Sequence, residues 1–313
     1  MLPSATEIVC ALGLESDLVG ITHECDYPAS VRSKPVLTSS VLSGNHDSGE
    51  IDRHIRGMVH AGSSIYRLDA GRLQSLEPDL ILTQELCDVC AVSYPIVERA
   101  VRRMSGSNQL VSLEPESLDD VFRTIQTVGR LAGHEERARN VVGDLRERVE
   151  AVRARVARQP RRRVVCLEWI DPLFGCGHWT PELVELAGGE ECLGRPRRRA
   201  EPVTAQAVAA VNPDVVVIMP CGFGLERTAT EVEHSDLSAV LGREVWIVDG
   251  NAYFSRPGPR LVDSLEIMAA ILYPDVMGPP APDAARILAS ARRESRRRAR
   301  RGRSRARRLR PRG

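Results

Sequence analysis

The stretch HEERARNVVGDLRERVEAVRARVARQP (residues 134–160) decides how the chain is organised. Charged side chains cover most of it, and valines with one leucine recur at helical spacing in a narrow apolar stripe. About 24 residues, from His134 to Ala157, would form a helix roughly 36 Å long. That length exceeds what packing within one domain needs, so the pattern predicts a strut between two domains. Pro160 ends the strut.

The residues before the strut alternate between helical patterns and short apolar runs. The segment Ser4-Ala5-Thr6-Glu7 has the form of a capping box, which predicts a first helix that stops at Gly13. A parallel α/β unit would place a strand before this helix. The chain has no such run there, so we expect the true start to lie upstream. The strands predicted in this half are Leu18–Thr22, Leu80–Thr83 and Leu110–Leu113.

After Pro160 the alternation of strands and helices begins again. Thr180-Pro181-Glu182 predicts a helix start with proline at the first helical position. An amphipathic pattern over residues 257–272 predicts the closing helix. The strands predicted in this half are Val164–Trp169, Asp214–Met219 and Val245–Val248.

These elements predict an α/β fold: two Rossmann-like lobes with parallel sheets, bridged by one long α-helix. The strut itself marks the boundary between the lobes. The predicted divisions are an N-terminal lobe over 1–116 that lacks its first strand, helices including the strut over 117–159, a C-terminal lobe over 160–275, and a disordered arginine-rich tail over 276–313.

Composition and charge exclude several classes of protein. No run approaches about 18 consecutive apolar residues, so we predict no transmembrane segment. Residues 292–313 hold thirteen arginines and one glutamate, a local charge of +12. The formal net charge is +1, so the rest of the chain carries −11. An acidic body repels nucleic acid, and we therefore expect a solvated tail with no specific nucleic-acid partner. The alternative is an arm that binds the phosphates of nucleic acid or an anionic membrane without sequence choice.

Thiols and imidazoles cluster in four segments, most of which directly follow an apolar run. These segments are THECDYP (22–28), TQELCDVCAVS (83–93), DPLFGCGHW (171–179) and MPCGFG (219–224). Residues just past the carboxyl ends of strands face the ligand crevice of an open α/β sheet. We therefore expect these side chains to look into one cleft. The candidate metal ligands are Cys25, Cys87, Cys90, Cys176, His178 and Cys221.

Two interpretations of these thiols stay open. Soft tetrahedral ligation would favour zinc or an iron–sulfur cluster, and a thiol or imidazole would also coordinate the metal of a corrinoid or an iron chelate. Alternatively, the cysteines are inert, small apolar side chains or form disulfides. Cys10, Cys166 and Cys192 lie in helical, strand or post-helix segments, which favours packing. The spacing of Cys87 and Cys90 also suits a redox pair.

Four stretches resemble one family in order along the chain. They are LPSATEIVCALGLESDLVGITHECDYP (2–28), SLEPDLILT (75–83), RVVCLEWIDPLFGCGHWTPELVELAGGEE (163–191) and NAYFSRPGPRLVDSLEIMAAIL (251–272). These resemble the substrate-binding proteins that serve cobalamin and iron-siderophore uptake. The resemblance implies two lobes bridged by a rigid helix, a ligand held between them, and delivery to the permease and ATPase of an ABC-type importer.

The resemblance also indicates which residues would contact the ligand. Tyr253 and Phe254 stand in the loop where the family places an aromatic contact. Gln84 and Glu85 stand where another aromatic side chain would be expected. Apart from the resemblance, Arg256 flanks the start of the last helix, where it would either contact an anionic group of the ligand or serve a surface role. The candidate ligand-binding residues are Pro3, Ser4, Asp26, Tyr27, Gln84, Glu85, Trp169, Phe174, Trp179, Tyr253, Phe254 and Arg256.

The sequence therefore predicts a monomeric, non-enzymatic solute-binding protein that holds a cobalamin-like corrinoid or an iron chelate for ABC-type import. Importer docking in the family uses a glutamate on each lobe, and Ser255 departs from that pattern. One alternative is a cytosolic protein that handles a metal or corrinoid. Another is a thiol- or metal-dependent redox enzyme that uses Cys87 and Cys90. No secretory signal opens the chain, so we expect a cytoplasmic location as it stands, or a periplasmic or cell-surface one if the start lies upstream.

Overall fold

The computed structural model of the protein describes residues 1–42, 46–60, 65–84, 94–104, 108–235, 237 and 244–289, without the side chains of 59, 60, 94 and 289. Helices and strands alternate throughout these ranges, as the predicted α/β class requires. Among the described residues, no helix combines the length and apolar character needed to cross a membrane.

The N-terminal lobe carries two small sheets. Its elements are α1 (Pro3–Ala11), β1 (Thr38–Ser40), α2 (Ser48–His60), β2 (Tyr66–Leu68), α3 (Ala70–Ser75), β3 (Leu80–Thr83), α4 (Tyr94–Val101) and β4 (Gln109–Ser112). Strands β3 and β4 pair in parallel, with Leu80 opposite Gln109, which confirms both predicted strands. Strands β1 and β2 pair antiparallel.

Two predictions about this lobe are wrong. Leu18–Thr22 forms no strand, and Ile21 makes only an isolated bridge to Val36, because the apolar run is short and interrupted by Gly20. The capping box also does not form. Helix α1 begins at Pro3, whose missing N–H and fixed φ suit the first helical position, and its N-cap residue Leu2 makes no side-chain bond. The carboxylate of Glu7 is therefore free of a capping role.

Two consecutive helices, α5 (Leu118–Leu131) and α6 (Glu135–Val156), follow the N-terminal lobe. The Ser117 side chain caps α5 by accepting a hydrogen bond from the Asp120 backbone N–H. Gly133, at φ +74°, breaks the two helices apart. The apolar stripe of α6 is buried as predicted, which leaves the charged faces to solvent.

Helix α6 contacts both halves of the molecule. At its start, Arg137 Nη1 donates to the Leu12 carbonyl oxygen at the end of α1, over 2.8 Å. Near its middle, Arg148 pairs with Asp263 and Glu266 on the last long helix of the C-terminal lobe, at 2.6 and 2.7 Å. The predicted strut is thus present and anchored on both lobes.

The C-terminal lobe is built on a six-stranded sheet. Its elements are β5 (Arg162–Trp169), β6 (Phe174–Gly175), α7 (Thr180–Leu186), β7 (Gly189–Glu191), α8 (Ala205–Ala210), β8 (Val215–Ile218), α9 (Leu225–His234), β9 (Glu244–Val248), α10 (Leu261–Leu272), α11 (Pro274–Met277) and β10 (Ala285–Ala289). The order β10-β9-β8-β5 continues into β6 and β7, which pair with different parts of β5. Strands β5, β7, β8 and β9 run parallel, whereas β6 and β10 run antiparallel to their neighbours.

Both faces of this sheet are buried, which explains its unbroken apolar strands. On β5, Val164 and Cys166 face one core cluster, and Val165 and Leu167 face the other. Helices α6, α7 and α10 cover the first face, and α8 and α9 cover the second. A parallel sheet covered on both faces reads as continuous hydrophobic runs, because neither side of a strand meets water.

The C-terminal lobe extends beyond residue 275, where the sequence placed the start of the tail. Helix α11 and strand β10 lie in that range, and β10 pairs with β9 as an antiparallel edge strand. Ala284 and Ala285 are buried. A five-residue strand in a proline-rich segment carries too little periodicity to be recognised from sequence. Residues 290–313 lie outside the described part of the chain.

Candidate ligand-binding site

A cavity of about 600 Å³ opens between the two lobes. This volume falls within the range of about 300–1,000 Å³ that is usual for small-molecule sites. On the C-terminal side the lining includes an aromatic wall, formed by Trp169, Phe174, Trp179, Phe223 and Phe254. The N-terminal wall combines apolar side chains with polar and charged ones, and its members are Leu2, Pro3, Ser4, Glu24, Ser40, Leu42, His46, Ile51, Asp52, Ile55, Ile65, Tyr66 and Gln84.

The ends of the parallel strands place this aromatic wall. Trp169 is the last residue of β5, and Met219 and Cys221 directly follow β8. The π-helical turn Gly250–Phe254 follows β9 and brings Phe254 to the cavity. A Cβ atom on Gly250 would overlap the Pro220 carbonyl oxygen, so only glycine allows these two loops to approach so closely. The cleft therefore lies at the carboxyl edge of the sheet, as the sequence predicted.

Hydrogen bonds hold the wall in place. The Trp179 indole N–H donates to the Phe254 carbonyl oxygen at 2.9 Å and joins two loops of the cleft. The Glu168 carboxylate accepts from the Gly177 backbone N–H at 3.2 Å and from the Thr180 hydroxyl at 2.9 Å. Glu168 thus orders the loop that leads into α7.

His178 lies on the cavity wall in an unusual backbone conformation. Its φ is +48°, in the left-handed region, and its ring stacks on the Trp179 indole with centroids 5.5 Å apart. Burial disfavours the imidazolium and lowers the pKa of His178. Nδ1 is buried and has no hydrogen-bond partner among the described residues. The ring is therefore neutral near pH 7 and able to serve as a hydrogen-bonding or ligating group toward a bound molecule.

Arg256 joins the two lobes at the floor of the cavity. Its guanidinium lies 3.1 Å from Glu7 and 2.5 Å from Asp26, both in the N-terminal lobe, and its side chain is only 5% exposed. It also donates to the Glu24 carbonyl oxygen and to the Asn251 side chain. Arg256 also lines the cavity, but two carboxylates already pair with its guanidinium, so its use for an anionic ligand stays a prediction.

Desolvation dominates the titration of Glu7 in this network. Burial raises the pKa of Glu7 to about 6, although Arg256 and Arg260 act in the opposite direction. Glu7 therefore resists ionisation more than an exposed glutamate does.

Three predicted ligand contacts lie away from the cavity wall. Asp26 pairs with Arg256. Tyr27 and Tyr253 both lie against the Arg260 guanidinium, with centroids 4.1 and 4.5 Å from its central carbon. Tyr27 is 48% exposed. The two tyrosines form a cation–π cluster with Arg260 beside the lobe junction and do not line the cavity.

The described residues do not assemble the predicted metal site. Cys25 is buried beneath α1, and its thiol lies 3.1 Å from the hydroxyls of both Thr6 and Thr22. Cys176 is also buried, and it lies beside Cys166 and Glu191. Of the predicted ligands, Cys221 and His178 do line the cavity. Glu85, Cys87 and Cys90 lie outside the described residues.

Sequence reasoning missed the residues at the mouth of the cleft. The Arg227 guanidinium lies over the Phe223 ring, 3.6 Å from its centroid, and Nη2 donates to the His46 carbonyl oxygen at 2.9 Å. The Ser48 backbone N–H donates to Glu231 at 2.6 Å. These bonds connect the start of α2 with α9 across the lobes. Phe223 belonged to a segment already singled out, but residues near 46–48 show no periodicity that would indicate a cross-lobe contact.

Comparisons with known proteins agree with this geometry. A family model described as periplasmic binding protein matches residues 2–247. The uncharacterized ABC transporter substrate-binding lipoprotein YvrC of Bacillus subtilis (strain 168) is 24% identical over 285 residues, which is 88% of this chain and 79% of the relative. The vitamin B12-binding protein of Yersinia pestis (strain Pestoides F) is 24% identical over 270 residues, covering 83% and 80%.

A solved structure shares the fold over nearly the full length. The periplasmic heme-binding protein from Pseudomonas aeruginosa superposes with a TM-score of 0.65 at 20% identity, covering 92% of this chain and 93% of that one. At this identity the likeness concerns the fold alone.

Proposed function

We infer a transport role from one premise: the chain belongs to the periplasmic binding protein family. We propose that it binds a flat, metal-centred macrocycle, a corrinoid or a haem, in the cleft between its lobes and delivers it to an ABC-type importer. The names of its relatives support both parts of the proposal, since they include an ABC transporter lipoprotein, a vitamin B12-binding protein and a heme-binding protein.

The aromatic wall of the cleft is the observation that carries this proposal. Trp169 and Phe223 lie edge to face, with centroids 5.2 Å apart, and Trp179 lies on the same side of the cavity. Ile51, Ile55 and other apolar side chains line the opposite lobe. A planar ring buries both of its faces when it lies between two apolar walls, and aromatic side chains supply large contact areas for such a ring.

Two arginines can receive the polar periphery of such a ligand. Arg199 and Arg227 line the cavity, whereas Arg256 is occupied by Glu7 and Asp26. Burial lowers the pKa of Arg227, which nevertheless stays cationic at physiological pH. An anionic substituent near Arg227 would offset part of the free-energy cost of burying this cation. Haem propionates carry such charge and corrinoid amides do not, so the two ligands should depend differently on Arg227.

A titration tests the proposal directly. Purified protein is titrated with hemin, cyanocobalamin and a ferric siderophore, and both visible absorbance and tryptophan fluorescence are recorded. We expect one macrocycle to quench the fluorescence saturably, because Trp169 and Trp179 line the cavity. Phe223→Ala should weaken binding by about 10-fold or more, since it removes a buried aromatic side chain.

The control uses the third tryptophan, which lies outside the cavity lining. Trp246 is on β9, and its indole donates to Glu244 at 3.0 Å. Trp246→Phe should therefore leave the binding constant and most of the quenching unchanged. Absence of a saturable response to all three probes would refute the macrocycle proposal.

The proposed partner is a permease with its ATPase, and the proposed location is outside the cytoplasmic membrane. Ser255 lines the cavity, so docking on this lobe would use another surface position than that residue. Fractionation of cells that produce the native gene product would test the location. Recovery of the protein only from the cytoplasmic fraction would contradict it.

A further inference from the structure

We propose that Cys166 and Cys176 form a disulfide between β5 and the end of β6, behind the aromatic wall of the cleft. The proposal goes beyond the proposed function. It relies on the proposed extracytoplasmic location only for an oxidant, which would be a protein or small molecule carrying a disulfide. Such oxidants persist in secretory and periplasmic compartments.

Strand register places the two cysteines opposite each other. Leu167 pairs with Gly175, the last residue of β6, and continuing this antiparallel register by one residue would set Cys176 opposite Cys166. Directly opposed residues point to the same face, with Cβ atoms about 4.5–5.5 Å apart. A disulfide spans Cβ atoms about 3.5–4.5 Å apart. Both cysteines are free thiols in the structure, and their Sγ atoms lie within 4.8 Å of each other, so the two sulfurs must approach further to form a bond of about 2.05 Å.

A carboxylate completes this buried cluster. Glu191 offers an oxygen within 4.8 Å of both thiols, and its two oxygens accept backbone hydrogen bonds from Cys166, Leu193 and Gly194, each at 3.0 Å. These backbone donors remain when the sulfurs bond to each other. Oxidation therefore leaves no buried carboxylate oxygen without a donor.

The same cluster is a weaker candidate for a metal ion. Structural zinc sites are closed by four protein ligands. The group found within the described ranges contains three, namely Cys166, Cys176 and Glu191. The carboxylate is already held by three N–H groups. The geometry thus favours a bond between the two sulfurs over shared coordination.

Burial restricts when this bond can form. Cys166 and Cys176 are 0% and 2% exposed, and a Cβ on Gly194 would overlap the Cys176 sulfur, so an oxidant has no approach in the folded chain. Burial also raises the pKa of Cys166 to about 12 and that of Cys176 well above its usual value. Thiolates are therefore rare at neutral pH once the lobe is folded. The pair must be oxidised before the strand pair is sealed.

The reaction is a thiol–disulfide exchange in two steps. One cysteine thiolate attacks a sulfur of the oxidant, the oxidant's S–S bond breaks, and one thiol leaves as a mixed disulfide forms. The second cysteine thiolate attacks its partner's sulfur in that mixed disulfide, and the second thiol leaves. The protein loses two protons and two electrons in total, and the oxidant disulfide becomes two thiols.

Oxidative refolding tests the proposal. The reduced, unfolded chain is refolded in a mixture of oxidised and reduced glutathione, alkylated, and digested with trypsin and a glutamate-specific protease. We expect peptide VVCLE (164–168) to be linked to WIDPLFGCGHWTPE (169–182), and the link to vanish on reduction. Closing this short loop should raise the Tm by about 5 °C relative to protein that was unfolded, reduced with dithiothreitol and refolded under reducing conditions.

Two variants separate the pair from other thiols. Cys176→Ala should abolish both the linked peptides and the redox-dependent change in Tm. Cys192 directly follows Glu191, but its thiol does not belong to the cluster. Cys192→Ala should therefore preserve both the linked peptides and the redox-dependent change in Tm.

Several outcomes would overturn the proposal: alkylation of both thiols after oxidative refolding, linkage of either one to another cysteine, or one bound equivalent of zinc with both thiols reduced. None of these measurements uses a cleft ligand. Failure of the disulfide is therefore distinguishable from failure of the macrocycle proposal.

Discussion

At the scale of single residues, one buried arginine determines how the lobes meet. Arg256 pairs with Glu7, which lies 249 positions earlier in the chain, and with Asp26. A buried cation is tolerated only when carboxylates and further acceptors surround it. Glu7 and Asp26 belong to the other lobe. Relative movement of the lobes would therefore leave these charges buried without a partner. This network is consistent with a binding protein that moves little when it takes up its ligand.

Glu7→Gln should change how stability depends on pH. Burial raises the pKa of Glu7 from about 4.5 to about 6, so the folded chain holds this proton more tightly than the unfolded chain does. The contribution of Glu7 to stability is therefore complete below pH 4.5 and lost as pH rises through 6. Relative to Glu7→Gln, the wild type should lose about 1–2 kcal/mol of unfolding free energy between pH 4.5 and 7. Urea unfolding across this range measures the difference.

Exposed Glu136 on α6 provides the control for this experiment. Glu136→Gln should give a curve parallel to that of the wild type over the same pH range. If the Glu7→Gln curve also ran parallel to the wild type, desolvation of Glu7 would not be the dominant effect.

His178→Gly should separate folding from binding. Glycine adopts the left-handed φ of position 178 without the penalty of a Cβ atom, which offsets the loss of stacking on Trp179. We expect an unfolding free energy within about 1 kcal/mol of the wild type. Binding of hemin or cyanocobalamin should weaken at least several-fold, because the imidazole leaves the cavity wall.

Glu77→Gly is the matched variant for this comparison. Position 77 is also left-handed, at φ +45°, but it is exposed and absent from the cavity lining. It should gain or keep stability and bind as the wild type does. Equal binding by both variants would exclude His178 from the ligand site.

The residue scale is also where sequence reasoning reached its limit. Phe254 was identified from the family resemblance, and Trp169 and Trp179 lie at or just after a strand whose apolar pattern is local; all three line the cavity. The pairing of Arg256 with Glu7 was not predicted, since a contact between residues so distant in sequence leaves no periodic signal in either segment. Tertiary pairing of charges depends on which loops meet, and that becomes known only from the folded chain.

At the scale of elements, the junction of α5 and α6 depends on a glycine, because no side chain would fit at that position. Gly129 on α5 approaches Ala138 on α6 so closely that a Cβ at position 129 would overlap the Ala138 Cβ. Gly143, farther along α6, has open space around it and is exposed. Glycine thus permits close helix packing at position 129 and has no packing role at position 143.

Two glycine-to-alanine changes should therefore have opposite effects on stability. Gly143→Ala should raise the unfolding free energy by about 1 kcal/mol, because alanine favours the helix and nothing obstructs its methyl group. Gly129→Ala should lower it by about 1–3 kcal/mol through overpacking. Chemical denaturation with circular dichroism measures both variants. A destabilising Gly143→Ala would show that the strut is not an exposed regular helix at that position.

Long or strongly patterned elements were predictable, and short ones were not. The strut, β5 and the proline-initiated α7 lie within one or two residues of their predicted positions, since each combines clear periodicity with a defined start or end. Strand β10 escaped notice because five residues derive their stability from the neighbouring β9 rather than from their own composition. Leu18–Thr22 was wrong for the converse reason, because its run is short and, among the described residues, it pairs only through the bridge from Ile21 to Val36.

At the scale of the whole molecule, the mouth of the cleft is joined by contacts between the lobes. The Ser48 backbone donates to Glu231, and the Trp169 indole donates to the Ser48 carbonyl oxygen at 3.3 Å. A Cβ on Gly49 would overlap the Asp171 carboxylate, so the two surfaces are already in close contact there. A large ligand must disturb these contacts when it enters or leaves.

Glu231→Ala should therefore speed the release of a bound probe. Loss of one charge-assisted bond at the mouth should raise the dissociation rate of hemin or cyanocobalamin about 5- to 10-fold, as measured by stopped-flow transfer to a competing acceptor. Glu226→Ala is the control, because it lies on the same helix but pairs with Arg286 on β10. Equal rates for the two variants would mean that the mouth contacts do not limit exit.

The edge strand β10 has a consequence for how copies of this protein behave in concentrated solution. It covers β9, whose Val245 and Ile247 are fully buried, and it presents Arg286 at the margin of the sheet. A bare sheet margin offers unpaired N–H and C=O groups to another chain, and charged outer strands discourage such pairing. A copy that lost β10 to proteolysis would keep its cleft intact yet expose β9 as a template, and its first observable defect would be aggregation rather than a loss of affinity.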